Sequence, residues 1–133
     1  MDIRLAVISE LPGQRKIITD KLSLLGKFKI VYQGESLSTD FNHLVRALPD
    51  IIILSAVSPL TFRKEVGKKR CQEVADSLPD TKILLRTNLP QDHTYIKETI
   101  SYGVNIINDH CDWSAVASGI EMIMDGKKLI HYE

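Results

Sequence analysis

The chain has 133 residues, 44% of them hydrophobic and 26% charged, and its 17 basic residues balance 17 acidic ones. That length suits one domain whose core needs no metal or disulfide support. A formal charge of zero argues against nucleic-acid binding through bulk charge by the isolated chain, because phosphate binding needs a basic excess; local patches stay open.

No apolar stretch reaches the ~18–20 residues that span a bilayer. Met1-Asp2-Ile3-Arg4 lacks the basic start and long apolar run of a signal peptide. Cys71 and Cys111 form no motif and read as reduced thiols, in keeping with a cytoplasmic protein, rather than as a disulfide or metal site.

Five short apolar runs have strand length: Ile3 to Ile8, Phe28 to Tyr32, Ile51 to Leu54, Ile83 to Leu85 and Val104 to Ile107. Several are continuous rather than alternating, which suits strands covered on both faces. Segments with helical spacing lie between them. The first stripe is Ile18, Leu22 and Leu25, with Pro12 at its start and Gly26 at its end. Phe41, Leu44, Val45 and Leu48 form the second, with Thr39 or Ser38 as its cap. Cys71, Val74, Ala75 and Leu78 form the third. Ile96 and Ile100 mark a shorter helix between a cap at Asp92 and a stop at Gly103. Asp112 caps the last, whose stripe is Trp113, Val116, Ile120 and Ile123. Pro49-Asp50 and Pro79-Asp80 separate helix from strand.

Strand and helix thus alternate five times. The pattern predicts an α/β, flavodoxin-like fold: a five-stranded parallel sheet in the order 2-1-3-4-5 with five helices on both faces. No Gly-x-Gly-x-x-Gly follows the first strand and no Gly-x-x-x-x-Gly-Lys occurs, so the dinucleotide and P-loop readings fall away. Ligands of such sheets bind outside the carboxyl ends of the strands. The residues delivered there are Ser9 and Glu10, then Ser55 to Pro59, then Thr87 and Asn88, then Asn108, Asp109 and His110.

At these positions the chain resembles a receiver domain of two-component response regulators, most closely the subclass that carries a LuxR-type DNA-binding domain. The resemblance covers nearly the whole chain. It rests on Ile3 to Ile8 followed by Pro12, on Leu48-Pro49-Asp50 leading into Ile51 to Leu54, on Leu78-Pro79-Asp80 through Thr87, and on Asp125-Gly126-Lys127-Lys128. The third helical segment is about one turn longer than in that family. The resemblance implies a phosphorelay: an aspartate at the end of the third strand accepts a phosphoryl group, an acidic pair and that aspartate hold Mg²⁺, a Ser/Thr switches, and a lysine pairs with the phosphate. In this sequence Ser55 stands at the acceptor position, the acidic pair reads Ser9-Glu10, the switch residue is Thr87, and Asn108 or Asp109 stands where the lysine belongs. Pro59 matches the loop proline of the family.

These departures point one way. Aspartate attacks as a ready-made anion, whereas serine needs an adjacent base, and none is evident beside Ser55. Mg²⁺ takes several oxygen ligands including carboxylates, and Glu10 alone is a poor nest. Loss of the lysine removes the offsetting cation, and Asp109 adds repulsion. Site-like residues also carry plainer readings. Glu10 reads as a solvated loop carboxylate, Ser55 as a hydroxyl bonded to backbone or to Thr87, and Thr87 as a cap for the fourth helix. Asp109, His110, Cys111 and Asp112 lack metal-ligand spacing and read as loop and cap. Trp113 reads as partly buried core, and Lys64, Lys68, Lys69 and Arg70 as a solvated face.

The expectation is therefore a pseudo-receiver over residues 1–126, with 127–133 starting a linker or extension: no enzyme, no catalytic residue, no metal and no cofactor. It would be a cytoplasmic, phosphate-independent signalling and dimerisation module for an effector in transcription regulation. Its partner would be a second copy or another protein, with no membrane contact and with DNA reached only through a separate effector domain. Pairing would use the helices at about Asp92 to Tyr102 and Asp112 to Asp125, or the first helix with the fifth. The alternative is a regulatory protein that binds a small ligand or anion, or is serine-phosphorylated, in the same pocket.

Overall fold

A computed structural model describes residues 2–56 and 67–132. Within them the elements run β1 (Ile3–Ile8), α1 (Pro12–Ser23), β2 (Phe28–Gly34), α2 (Leu37–Ala47), β3 (Ile51–Ala56), α3 (Lys68–Ser77), β4 (Lys82–Thr87), α4 (Thr94–Ser101), β5 (Asn105–Asn108), α5 (Trp113–Met124) and β6 (Ile130–His131). All described ladders are parallel, and the sheet order is β2-β1-β3-β4-β5-β6. The expected five-stranded order holds, but the sheet has six strands. The segment after α5 adds β6, whose Ile130 and His131 pair with Ile106 and Ile107. Two residues are too short a run to show as a strand in sequence.

Strand alternation divides the core into two layers. Ala6, Ile8, Ile52, Leu54, Leu85 and Ile106 meet α2, α3 and α4 through Leu44, Val74 and Ile96. Leu5, Val7, Ile51, Ile53, Leu84 and Ile107 meet α1 and α5 through Ile18, Leu22, Val116, Ile120 and Ile123. Burial on both faces is why these strands read as continuous apolar runs.

Helix ends depart from the expected caps in two places. Ser36, not Ser38 or Thr39, caps α2, its side chain accepting from Ser38 N. His93, not Asp92, caps α4, with Nδ1 accepting from Tyr95 N at 3.1 Å. Asp112 caps α5 as expected, Oδ1 accepting from Ala115 N at 2.8 Å. α2 ends on Leu48 in the left-handed conformation, φ 49°. That costs energy for a branched side chain. The Arg4 guanidinium donates to the carbonyls of Ala47 and Leu48, and Arg4 N donates to Asp50 Oδ2, which ties this corner to β1.

The outer edge carries a second polar knot. Tyr32 on β2 donates its hydroxyl to Asp40, whose other oxygen accepts from Glu35 N and Ser36 N. The hydrogen bond to Asp40, with burial adding to it, pushes the Tyr32 phenol up to about 12; burial alone takes Tyr132 to about 12. Both phenols are raised above the ordinary 10.0, so their contribution to stability is complete below pH 10 and lost as pH rises through about 12. Absorbance titration should show two of the four tyrosines ionising only near pH 12, together with the onset of unfolding. Complete tyrosinate formation in folded protein well below that pH would contradict this.

Candidate functional site

The ladders fix which residues reach the carboxyl edge of the sheet. Ile8 pairs with Leu54, so Ser9 and Ser55 leave β1 and β3 side by side. Ser55 pairs with Arg86, and Thr87 with Asn108. Ser9, Ser55 and Thr87 are buried, at 2%, 4% and 1% exposure, so three neutral hydroxyls lie buried at this edge. Ser9 Oγ accepts from Leu11 N at 3.3 Å, while the Ser9 carbonyl accepts from Arg15 at 2.6 Å. Thr87 Oγ1 accepts from Leu89 N at 3.1 Å and closes the turn after β4. It does not cap α4, which starts seven residues later on its own His93 cap. Glu10 is exposed on the loop before α1.

Asn108 and Asp109 end β5. Asn108 Oδ1 accepts from His110 N at 2.8 Å, so this amide shapes its own loop. The Asp109 backbone N–H donates to the Thr87 carbonyl at 2.9 Å. Asp109 Oδ1 is buried without a hydrogen-bond partner, with His110 Nε2 at 3.7 Å.

β4 supplies a half-buried cation to this edge. Arg86 donates to Gln14 Oε1 on α1 and to the Asp109 carbonyl, each at 3.1 Å. Its guanidinium carbon lies 5.1 Å from the centroid of the Trp113 ring on α5. One side chain thereby joins four segments by hydrogen bonding and cation–π contact. Burial lowers the Arg86 pKa, and the nearby Asp109 charge opposes that shift. Arg86 Nε is a further buried atom without a hydrogen-bond partner.

No protein-family model matches the sequence, and no curated protein matches it. Solved structures do. The isolated receiver domain of RcsB from Salmonella enterica serovar Typhimurium, with the phosphomimetic BeF₃⁻, superposes with a TM-score of 0.78 at 11% identity over 98% of this chain and 94% of that one. The receiver domain of NarL from Mycobacterium tuberculosis gives 0.80 at 16% identity, over 95% and 98%. RcsB dimers bound to DNA give 0.80 at 12% identity, over 98% of this chain and 64% of that one. The fold is that of response-regulator receivers.

Within the receiver fold, Ser9, Ser55, Thr87, Asn108 and Asp109 all lie at the carboxyl edge, as the sequence led us to expect, with Glu10 on its rim. Val57, Ser58, Pro59 and Lys64 lie outside the described residues. The donor set does not fit Mg²⁺. Two of the three positions that would face the ion carry neutral hydroxyls, one of them already accepting from Leu11 N, and Glu10 points from an exposed loop. Among the described residues no group of three or more His, Cys, Asp or Glu could hold a metal. Arg86 is the residue of this edge that sequence reading missed. Its signal was a charge at the end of the apolar run Ile83-Leu84-Leu85, directly before Thr87. Trp113 is half-buried beneath it; Cys71 is half-buried and Cys111 is buried.

Proposed function

We propose that this chain is a pseudo-receiver: a phosphate-independent signalling and dimerisation module that sets the activity of an effector, such as a DNA-binding domain, in transcription regulation. One observation carries the reading. The edge where a receiver needs an anionic acceptor, a metal nest and a free lysine holds three buried hydroxyls; its described arginines are engaged, Arg86 by Gln14, the Asp109 carbonyl and Trp113, and Arg15 by the Ser9 carbonyl. With no phosphate to draw Thr87 inward, resting contacts fix the conformation.

The pairing surface follows from what the fold leaves open. β6 covers the β5 edge, which lies between α4 and α5, and Leu129 packs against Gly119 of α5. That favours the other flank. Ile17 and Leu24 lie on one side of α1, and Met124 on the side of α5 that carries Glu121, which pairs with Lys27 at 2.8 Å. These three apolar residues are 47%, 81% and 42% exposed. A second copy, packed through α1 and α5, fits this face.

The experiment is incubation with acetyl phosphate or BeF₃⁻ plus Mg²⁺, read by intact mass and amide NMR. The protein should be unchanged. A stoichiometric gain of one phosphoryl group, abolished by Ser55→Ala, would overturn the reading in favour of a serine-phosphorylated regulator. In sedimentation, Leu24→Asp and Glu121→Lys should each weaken self-association about tenfold or more. A monomer at high concentration would remove the dimer and leave docking to another protein.

A further inference from the structure

At the opposite, amino edge of the sheet lies a cavity of about 170 Å³ lined by Lys82, Gly103, Asn105, Ile123, Gly126, Lys127 and Lys128. We propose that this cavity binds a small phosphate-bearing anion through Lys82, Lys127 and Lys128.

The fold builds the site from two directions. Lys82 opens β4, and Lys127 and Lys128 leave α5 through Gly126, whose φ of 86° turns the chain back over the sheet. Asn105 fixes the wall between them. Its Nδ2 donates to the Ile83 carbonyl, and its Oδ1 accepts from Leu129 N at 2.8 Å, so β4, β5 and the approach to β6 are tied together behind the lysines. Lys128 Nζ donates to the Gly103 carbonyl, which holds that ammonium group over the cavity.

Negative charge is what the site lacks. No described carboxylate lies within ion-pair distance of these three lysines, although the whole chain has as many acidic as basic residues. Asp80 and Asp125 are their near neighbours in sequence and pair with none of them. Burial lowers the Lys128 pKa and the charge of Lys82 lowers it further, so these two cations repel one another across the concave wall. A multiply charged anion seated there relieves that repulsion. Ammonium groups bind phosphates as point charges, and a pocket closed by Ile123 and Asn105 admits a compact group rather than a duplex, whose recognition needs an extended basic stripe.

The test is titration of ¹⁵N-labelled protein with inorganic phosphate and, separately, pyrophosphate, at constant ionic strength set with sodium chloride. The expected result is saturable movement of the Gly103, Asn105 and Gly126 to Leu129 amides, tighter for pyrophosphate. Lys82→Gln and Lys127→Gln, both at exposed positions, should each weaken binding about tenfold, equivalent to ~1.4 kcal/mol. Unchanged core amides of Leu5 and Ile53 would show that the variants remain folded. Shifts that follow chloride equally, or that neither variant alters, would overturn the proposal. So would amide shifts produced by a DNA duplex but by neither phosphate.

Discussion

Arg86→Ala is expected to destabilise the protein by about 2–3 kcal/mol, within the range for charge-assisted hydrogen bonds in a half-buried setting. For a domain of this length that corresponds to a fall in Tm of roughly 6–12 °C. The substitution leaves the Asp109 carbonyl and Gln14 Oε1 without their donor, uncovers the Trp113 face, and removes a cation that interacts with the Asp109 charge. Arg86→Lys should recover only part of the loss, because one ammonium group cannot hold Gln14 and the Asp109 carbonyl in a planar fork while lying on the indole. Asp109→Asn in the Arg86→Ala background should return some stability by discharging the stranded carboxylate. Denaturant unfolding of wild type, Arg86→Ala, Asp109→Asn and the double variant gives the coupling directly. If Arg86→Ala costs less than about 0.5 kcal/mol, the guanidinium is a passenger, and the claim that it locks the carboxyl edge fails.

This side chain also shows where sequence reading stops. The two-layer core was legible because its central strands, buried on both faces, must read as a run such as Ile51 to Leu54, and each helix must carry a stripe such as Val116, Ile120 and Ile123. Ser9, Ser55 and Thr87 were legible as site residues because the carboxyl edge of a parallel sheet is set by where such runs end. Two caps were misplaced because candidate residues crowd both turns. Ser36, Ser38 and Thr39 compete for α2, while Asp92 and His93 compete for α4. Only backbone geometry decides such a contest, and it chose a histidine whose ring nitrogen can accept. β6 was invisible because two residues carry no periodicity; its place is set by Asn105 receiving Leu129 N and by Gly126 turning the chain. Arg86 was overlooked because its partners lie 72 and 23 residues away. No local pattern encodes a contact of that kind.

The other large effect is a gain. Combining Ser9→Asp, Ser55→Asp and Asn108→Lys should convert an inert protein into one that gains a single phosphoryl group from acetyl phosphate when Mg²⁺ is present. The fold already places these positions together, since Ser9 and Ser55 follow the paired Ile8 and Leu54, and Asn108 pairs with Thr87. What is missing is charge. Ser55→Asp alone should remain inert and should lose about 2 kcal/mol or more at neutral pH. It puts a carboxylate at a site that is 4% exposed, among neutral hydroxyls, with Arg86 engaged elsewhere. Desolvation raises the pKa of the introduced carboxyl in the folded state. Its stability is then greatest below the ordinary carboxylate pKa of about 4 and falls as pH rises through the elevated folded value. Ser9→Asp and Asn108→Lys supply a metal-binding partner and a compensating cation, so the triple variant should recover stability when Mg²⁺ is added, whereas Ser55→Asp alone should recover little. Intact mass and thermal unfolding with and without Mg²⁺ measure both halves. A triple variant that folds and stays unphosphorylated would show that the missing charges do not explain the inert pocket. The block would then lie with the Arg86 lock that joins Gln14, Asp109 and Trp113.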